Sequence, residues 1–279
     1  MNPTSFTFTS KDGLSLFGRA WISPSSQPKG TVHLVHGLGE HSGRYDHIGK
    51  ALAKAGYHLA SFDLRGHGLS EGPRGHTPGL SYLMDDIRLF LDESSKHLGN
   101  SLPKFIYGHS LGGILVLNFG LQKNSEFLGA IVTSPWIKTT EPPPSVKVAL
   151  AKFMANVAPG FTLKTGLKTD ALSRNATVVK AYRDDVYNHD YITARMGLDI
   201  LESGRMALEK ANTWEKPLLL IHGAADQITS SIASKEFAEK AGDPVEFVLW
   251  NEGYHELHND FGSEQVISKM IHWLDKKVN

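Results

Sequence analysis

The sequence predicts an α/β fold: a mostly parallel central sheet of about eight strands flanked by helices, with a helical segment inserted after the sixth strand. Three observations support this. Apolar runs of strand length alternate with helical patterns from Thr31 to Thr133 and again from Pro217 onward, the arrangement that crossover-connected parallel strands require. The alternation breaks from Trp136 to Asn212, where no clear strand is legible and Pro142-Pro143-Pro144 interrupts the chain. Gly37, Asp63 and Ser110 all fall just beyond apolar runs, and ligands of such sheets bind beyond the carboxyl ends of the strands.

In chain order, residues 6–10 and 14–22 are alternating segments around Lys11-Asp12-Gly13. The Asp-Gly pair is a strong hairpin signal, so the sheet begins with an antiparallel edge. Thr31 to Val35 is a short apolar strand leading into His36-Gly37-Leu38-Gly39, and the helical pattern from Tyr45 to Ala55 ends at Gly56, a C-cap residue. Tyr57 to Phe62 is the next strand, followed by the loop Asp63 to Gly68 and a helix from Leu80 to His97. Phe105 to Tyr107 precedes the turn in IYGHSLGG, and Leu128 to Thr133 is the sixth strand. Helical patterns inside the insertion include Val146 to Val157 and Ile192 to Leu201. The strand Pro217 to Ile221, the helix Ile232 to Ala241, the strand Val245 to Trp250 and an amphipathic helix from Ser263 to Lys277 complete the chain. The expected division is core at 1–135, insertion at 136–212 and core again at 213–279.

Composition removes several function classes. The 279 residues are 41% hydrophobic and 21% charged, which suits one large domain or a core with an insertion and argues against disorder. Lys plus Arg and Asp plus Glu number 29 each, so no global field attracts nucleic acid. Cysteine is absent, which excludes disulfides, thiolate metal sites and a Cys nucleophile. The N-terminal stretch has no basic start followed by an apolar core, and no apolar run approaches the ~18 residues of a membrane span. A cytoplasmic protein is expected, with peripheral membrane contact open. His255-Glu256-Leu257-His258 has one residue fewer between its histidines than the HExxH zinc motif, so its rings do not fall at i, i+4. No metal and no cofactor are expected, and the oligomeric state is not legible.

The chemistry gathers around Gly108-His109-Ser110-Leu111-Gly112. A serine in a tight strand-to-helix turn is backbone-strained, and tiny residues two before and two after it let the segments pass. Such strain is retained where it exposes a reactive side chain. A serine nucleophile needs a base, and the base needs an acid to hold its tautomer. Asp226 follows the strand at Leu218 to Ile221, and His255 follows the strand at Val245 to Trp250. Asp63, Asp199 and Asp243 are rival acids, and His258 and His272 rival bases; strand placement favours Asp226 and His255. Backbone donors for an oxyanion fall at Leu111 N–H, after the serine, and at Leu38 N–H in the glycine-rich loop after the third strand.

With these residues in place, the chain resembles the monoacylglycerol lipase branch of the α/β-hydrolases over nearly its whole length. The resemblance rests on HGLGEHSGRY at 36–45, FDLRGHGLSEGPRGH at 62–76, GHSLGG at 108–113, LSRN at 172–175, HGAAD at 222–226 and EGYHELHND at 252–260. It implies an α/β-hydrolase fold whose insertion is a cap over the site, with an apolar tunnel for one acyl chain and a small polar pocket for glycerol. The implied reaction is cleavage of a monoacylglycerol to fatty acid and glycerol through an acyl-enzyme, without cofactor. The resemblance also implies that Glu40, Arg44, Tyr187 and His258 lie near the glycerol hydroxyls. For Arg44 a structural ion pair with Glu40, four residues before it, fits equally well, whereas Glu40 and His258 are read as site residues. Lysophospholipase and broad carboxylesterase activity are the alternatives within the class, and a non-catalytic ligand receptor is the alternative outside it. The helix at 146–157 carries Val146, Leu150, Phe153 and Val157 on one stripe and is nearly apolar elsewhere, so it either packs within the cap or touches lipid.

Overall fold

The Asp-Gly hairpin forms as expected in the computed structural model, which describes residues 2–278. β1 (Thr4–Thr9) pairs antiparallel with β2 (Ser15–Trp21), and Ser10 fastens the turn by donating to Asp12 Oδ1 and accepting from Leu14 N–H. β3 (Gly30–Val35), β4 (Tyr57–Phe62), β5 (Lys104–His109) and β6 (Gly129–Thr133) follow in the core. β7 (Thr162–Lys164) and β8 (Tyr191–Thr193) lie between β6 and β9 outside the main sheet, and β9 (Leu218–Gly223) and β10 (Val245–Trp250) rejoin it. The main sheet has eight strands in the order β1-β2-β4-β3-β5-β6-β9-β10. β2 meets β4 antiparallel, and every pairing from β4 to β10 is parallel.

Parallel strands need both faces covered, and β3, β4 and β9 are buried along their whole length. α1 (Asp46–Lys54) and α8 (Ser263–Val278) cover one face, packing Ile48, Leu52, Val266 and Trp273 against Leu34, Leu59 and Phe105. α2 (Leu80–Leu98), α3 (Leu111–Gly120), α6 (Ala194–Lys210) and α7 (Ser231–Ala241) contribute to the core on the other, where Phe90 lies 4.6 Å from Phe62 between ring centroids. Each such fully buried side chain contributes roughly 1.5–3 kcal/mol. Because the strands run parallel, the loops after β3, β4, β5, β6, β9 and β10 emerge at one edge of the sheet.

Between β6 and β9 the chain forms α4 (Ser145–Val157), α5 (Ala176–Asp184) and α6. The expectation that this region lacks strands is corrected: β7 and β8 form a two-stranded antiparallel ribbon, Thr162 opposite Thr193. Three-residue strands are too short to show alternation in sequence. The helix expected at 192–201 starts at Ala194, after the capping side chain of Thr193, and runs on to Lys210. Gly204, which discourages a helical reading, is required by packing, since a Cβ there would lie 1.9 Å from Ile137 O. α4 buries only Ala155 and leaves Val146, Leu150, Phe153 and Val157 exposed.

Candidate active site

The turn between β5 and α3 is built on strain. Ser110 sits at φ 53° and ψ −113°, a conformation that costs a side-chain-bearing residue on the order of 1–3 kcal/mol. The turn closes because its flanks are bare: a Cβ on Gly108 would lie 2.4 Å from Gly112 O, and one on Gly112 would lie 1.9 Å from Val35 O. Ser110 N–H donates to Thr133 O, and Ser110 O accepts from Ile114 N–H and Trp136 N–H. The residue lines a cavity of about 450 Å³.

The loops after β9 and β10 bring two further groups to this serine. Ser110 Oγ lies 2.9 Å from His255 Nε2, and His255 Nδ1 lies 2.8 Å from Asp226 Oδ2. A carboxylate only accepts, so Nδ1 carries the ring proton and Nε2 is free to accept from the hydroxyl. Asp226 Oδ1 accepts from Ile228 N–H and Thr229 N–H, and the Thr229 hydroxyl lies 3.0 Å from Oδ2. His222 Nε2 lies 3.0 Å from Thr229 O and 3.2 Å from Asp226 Oδ2. A carbonyl oxygen must accept, so Nε2 carries the proton and Ser234 donates to Nδ1. Burial alone would raise the Asp226 carboxyl, but the His255 and His222 rings hold it well below the usual carboxylate range. Burial likewise works to lower His255, and the Asp226 charge and hydrogen bond outweigh it, leaving that ring raised.

The loop after β3 is fixed by buried polar groups. Leu64 N–H donates to His36 Nε2 at 2.9 Å, so the His36 proton is on Nδ1, which donates to Gly37 O at 2.7 Å. Gly37 N–H donates to Glu40 Oε1, also at 2.7 Å. Both faces of Gly37 are thereby held, and in a trans peptide the Leu38 N–H points opposite to the held carbonyl. Leu38 lines the cavity, and an ideal Cβ on Gly37 would lie 3.3 Å from Ser110 Cβ. Leu111 N–H stands at the first position of α3. Asp63, a rival for the acid in sequence, serves elsewhere: its carboxylate accepts from Ser42 N–H, Ser42 Oγ and Leu69 N–H and ties this loop to the one after β4. Asp199 pairs with Arg195 on α6.

The four residues expected near glycerol separate in the structure. Glu40 lines the cavity and also accepts from Tyr45 OH and Arg44. Burial would raise its carboxyl, and Arg44 above all brings it down to about 2. Arg44 is engaged on both sides, bidentate to Glu256 at 2.7 Å for each bond and 2.6 Å from Glu40 Oε2. This is the ion-pair arrangement, extended by a second carboxylate. Tyr187 is 41% exposed, edge-on to His41, and is not among the residues lining the cavity. His258 is fully buried, stacked on Tyr45 and beside His109, and does not line the cavity either. Burial and the neighbouring His109 push its ring well below the ordinary imidazole value. Sequence reasoning missed Glu256, Tyr182 and His189, which do line the cavity. Glu256 was within reach, inside the EGYHELHND block; Tyr182 and His189 carry no comparable local signal. Among the described residues, no group of three or more His, Cys, Asp or Glu could hold a metal ion.

A serine on the β5–α3 turn, an aspartate after β9 and a histidine after β10 on this sheet define an α/β-hydrolase. The chain belongs to the serine aminopeptidase S33 family, whose model matches residues 26–261. It is 30% identical over 277 residues to monoglyceride lipase of Homo sapiens, covering 96% of this chain and 88% of that protein. It is 35% identical over 271 residues to an uncharacterized abhydrolase domain-containing protein of Dictyostelium discoideum, covering 96% of this chain but only 28% of that longer protein. The crystal structure of Paleococcus ferrophilus monoacylglycerol lipase superposes with a TM-score of 0.83 at 32% identity, covering 99% of this chain and 100% of that one.

Proposed function

We propose that this protein is a serine hydrolase that cleaves monoacylglycerols to fatty acid and glycerol, with residues 136–193 forming a cap over the site; the rest of the expected insertion, α6, instead packs Met196, Ile200, Ala207 and Leu208 into the core of the sheet. The observation that carries the reading is the continuous hydrogen-bonded line from Ser110 Oγ through His255 to Asp226, opening on the cavity. In this reading His255 takes the Ser110 proton as the hydroxyl attacks the ester carbonyl, and Asp226 stabilises the imidazolium. Leu38 and Leu111 N–H groups hold the oxyanion. The imidazolium returns its proton to the leaving glycerol, and a water deprotonated by His255 then releases the fatty acid.

A polar leaving group suits the Glu40 and Glu256 carboxylates that line the cavity, since acceptors match hydroxyl donors and penalise substrates lacking them. Arg44 is buried between both carboxylates and does not line the cavity, which disfavours a phosphate partner and with it a lysophospholipid. We assign Tyr187 and His258 no direct contact with glycerol. No described helix is long and apolar enough to cross a membrane; the exposed apolar side chains of α4 suit peripheral lipid contact by a cytoplasmic enzyme.

The test is hydrolysis of a chain-length series of monoacylglycerols beside matched lysophospholipids, diacylglycerols and triacylglycerols, with Ser110→Ala as control. The variant should fold and lose at least ~10³-fold in turnover. Near-normal activity in that variant sinks the mechanism, and faster turnover of lysophospholipids sinks the substrate assignment.

A further inference from the structure

The LSRN segment at 172–175 has no part in the chemistry described so far, yet its atoms converge on one carboxylate beside the triad. Asp260 is 4% exposed. Its Oδ1 accepts from Arg174 N–H at 2.8 Å and lies 3.2 Å from Ser173 Oγ. Its Oδ2 accepts from Arg174 Nε at 2.9 Å and from Tyr254 N–H at 3.0 Å. One oxygen therefore holds the insertion and the loop after β10 together. A second bond runs alongside, from Glu256 N–H to Leu172 O at 2.8 Å. The residues on both sides of His255 are thus tied to 172–174, one directly and one through Asp260. Leu172 in turn lines the cavity, whereas Arg174 and Asp260 do not.

We propose that Asp260 is a positioning residue that clasps segment 172–174 of the insertion to the loop carrying His255, so that the insertion and the base move as one body. The inference rests on the reading of His255 as the base. A carboxylate suits the task because it accepts at both oxygens and donates nowhere. An amide in its place would turn an NH₂ toward N–H donors in either orientation. The consequence is specific: loosening the clasp from the insertion side, at a residue that touches neither cavity nor triad, displaces the base even for a substrate too small to need a cap.

The experiment compares Asp260→Asn, Arg174→Ala and Arg174→Lys with the wild type in two measurements. The first is kcat and KM for p-nitrophenyl acetate, which does not fill the cavity. The second is amide hydrogen exchange in peptides covering 168–176 and 252–258, which reads the clasp whatever ester the enzyme prefers. A failure of the monoacylglycerol assignment would therefore leave the exchange result standing. Arg174→Ala should lower kcat for the small ester about ten-fold at unchanged KM, in keeping with the rate lost when a catalytic group is misplaced by a fraction of an ångström. It should also speed exchange in 252–258 as well as in 168–176. Asp260→Asn should do both more strongly, and Arg174→Lys, which restores one donor, should recover most of the loss. The proposal is overturned if Arg174→Ala speeds exchange only in 168–176, or if both disruptive variants keep wild-type kcat on the small ester and lose only thermal stability.

Discussion

Replacing Gly112 by alanine tests whether the strained turn is held by the bare backbone of its flanks. The new Cβ would lie 1.9 Å from Val35 O, 2.5 Å from Val35 C and 2.6 Å from His36 O, where real Cβ atoms essentially never approach below 3.0 Å. All three contacts are backbone, so no side chain can swing aside, and α3 must part from β3 by about 1.1 Å at that point. α3 begins at Leu111, directly after Ser110, and β3 leads through His36 and Gly37 into Leu38, so the movement widens the gap between the two proposed oxyanion donors. A misplacement near 1 Å costs about 10²-fold in rate, and overpacking of this kind costs about 1–3 kcal/mol in stability. The assay is the rate of covalent labelling by a fluorophosphonate probe, with thermal melting alongside. Gly160→Ala is the matched control, since nothing lies within 4 Å of its added Cβ. Labelling of Gly112→Ala at the wild-type rate would refute the packing argument.

Three further outcomes are expected. Because Asp226 outweighs burial and raises the His255 ring, the acid limb of kcat/KM should lie above the ordinary imidazole value of about 6.5; in Asp226→Asn it should move down while the rate falls about 10⁴-fold, and an unmoved limb would separate the two residues. Thr229→Val keeps the shape and the Oδ1 bonds of Asp226 but removes a hydroxyl from Oδ2; a hydrogen bond to a charged acceptor contributes about 1.5–3 kcal/mol, so turnover should drop by roughly ten- to hundred-fold, and wild-type kinetics would show that the hydroxyl serves only its other acceptor, Ser134 O at 3.1 Å. Burial lowers His33 and His109 to about 4, and His67 and His258 well below the ordinary value. Such rings stay neutral when folded and bind protons more readily when unfolded, so their contribution is complete above the unfolded value and is lost as pH falls toward the folded one. The melting temperature should decline steadily from about pH 7 to about pH 5, and a flat profile would contradict these buried neutral rings.

The sheet and the meeting of Ser110, His255 and Asp226 were legible in the sequence because both rest on local signals. Strands buried on two faces are apolar throughout, and Gly108 and Gly112 announce the turn around Ser110 without reference to anything distant. What could not be read depends on partners far along the chain. Arg44 and Glu256 are separated by 212 positions, so only the fold reveals that a local i, i+4 pair is half of a three-member cluster. His258 stands three residues from His255, yet one lines the cavity and the other is stacked on Tyr45, a distinction set by the curvature of a loop. Thr162 to Lys164 has no periodicity to offer, and its strand character comes from β8. Gly204 misleads in the opposite direction, suggesting a helix end where a neighbouring backbone needs the space.

The backbone at Ser110 also bears on how such a protein can be improved. A positive φ of this kind penalises every side chain and spares glycine, so the position proposed as the nucleophile is one where the fold would be more comfortable without a side chain at all. Selection for heat resistance alone has a direct route here, toward relaxing that turn and abandoning the hydroxyl. Durable and active variants must take their added stability from elsewhere, in the core under the sheet or on the exposed helices, and leave this one unfavourable torsion intact.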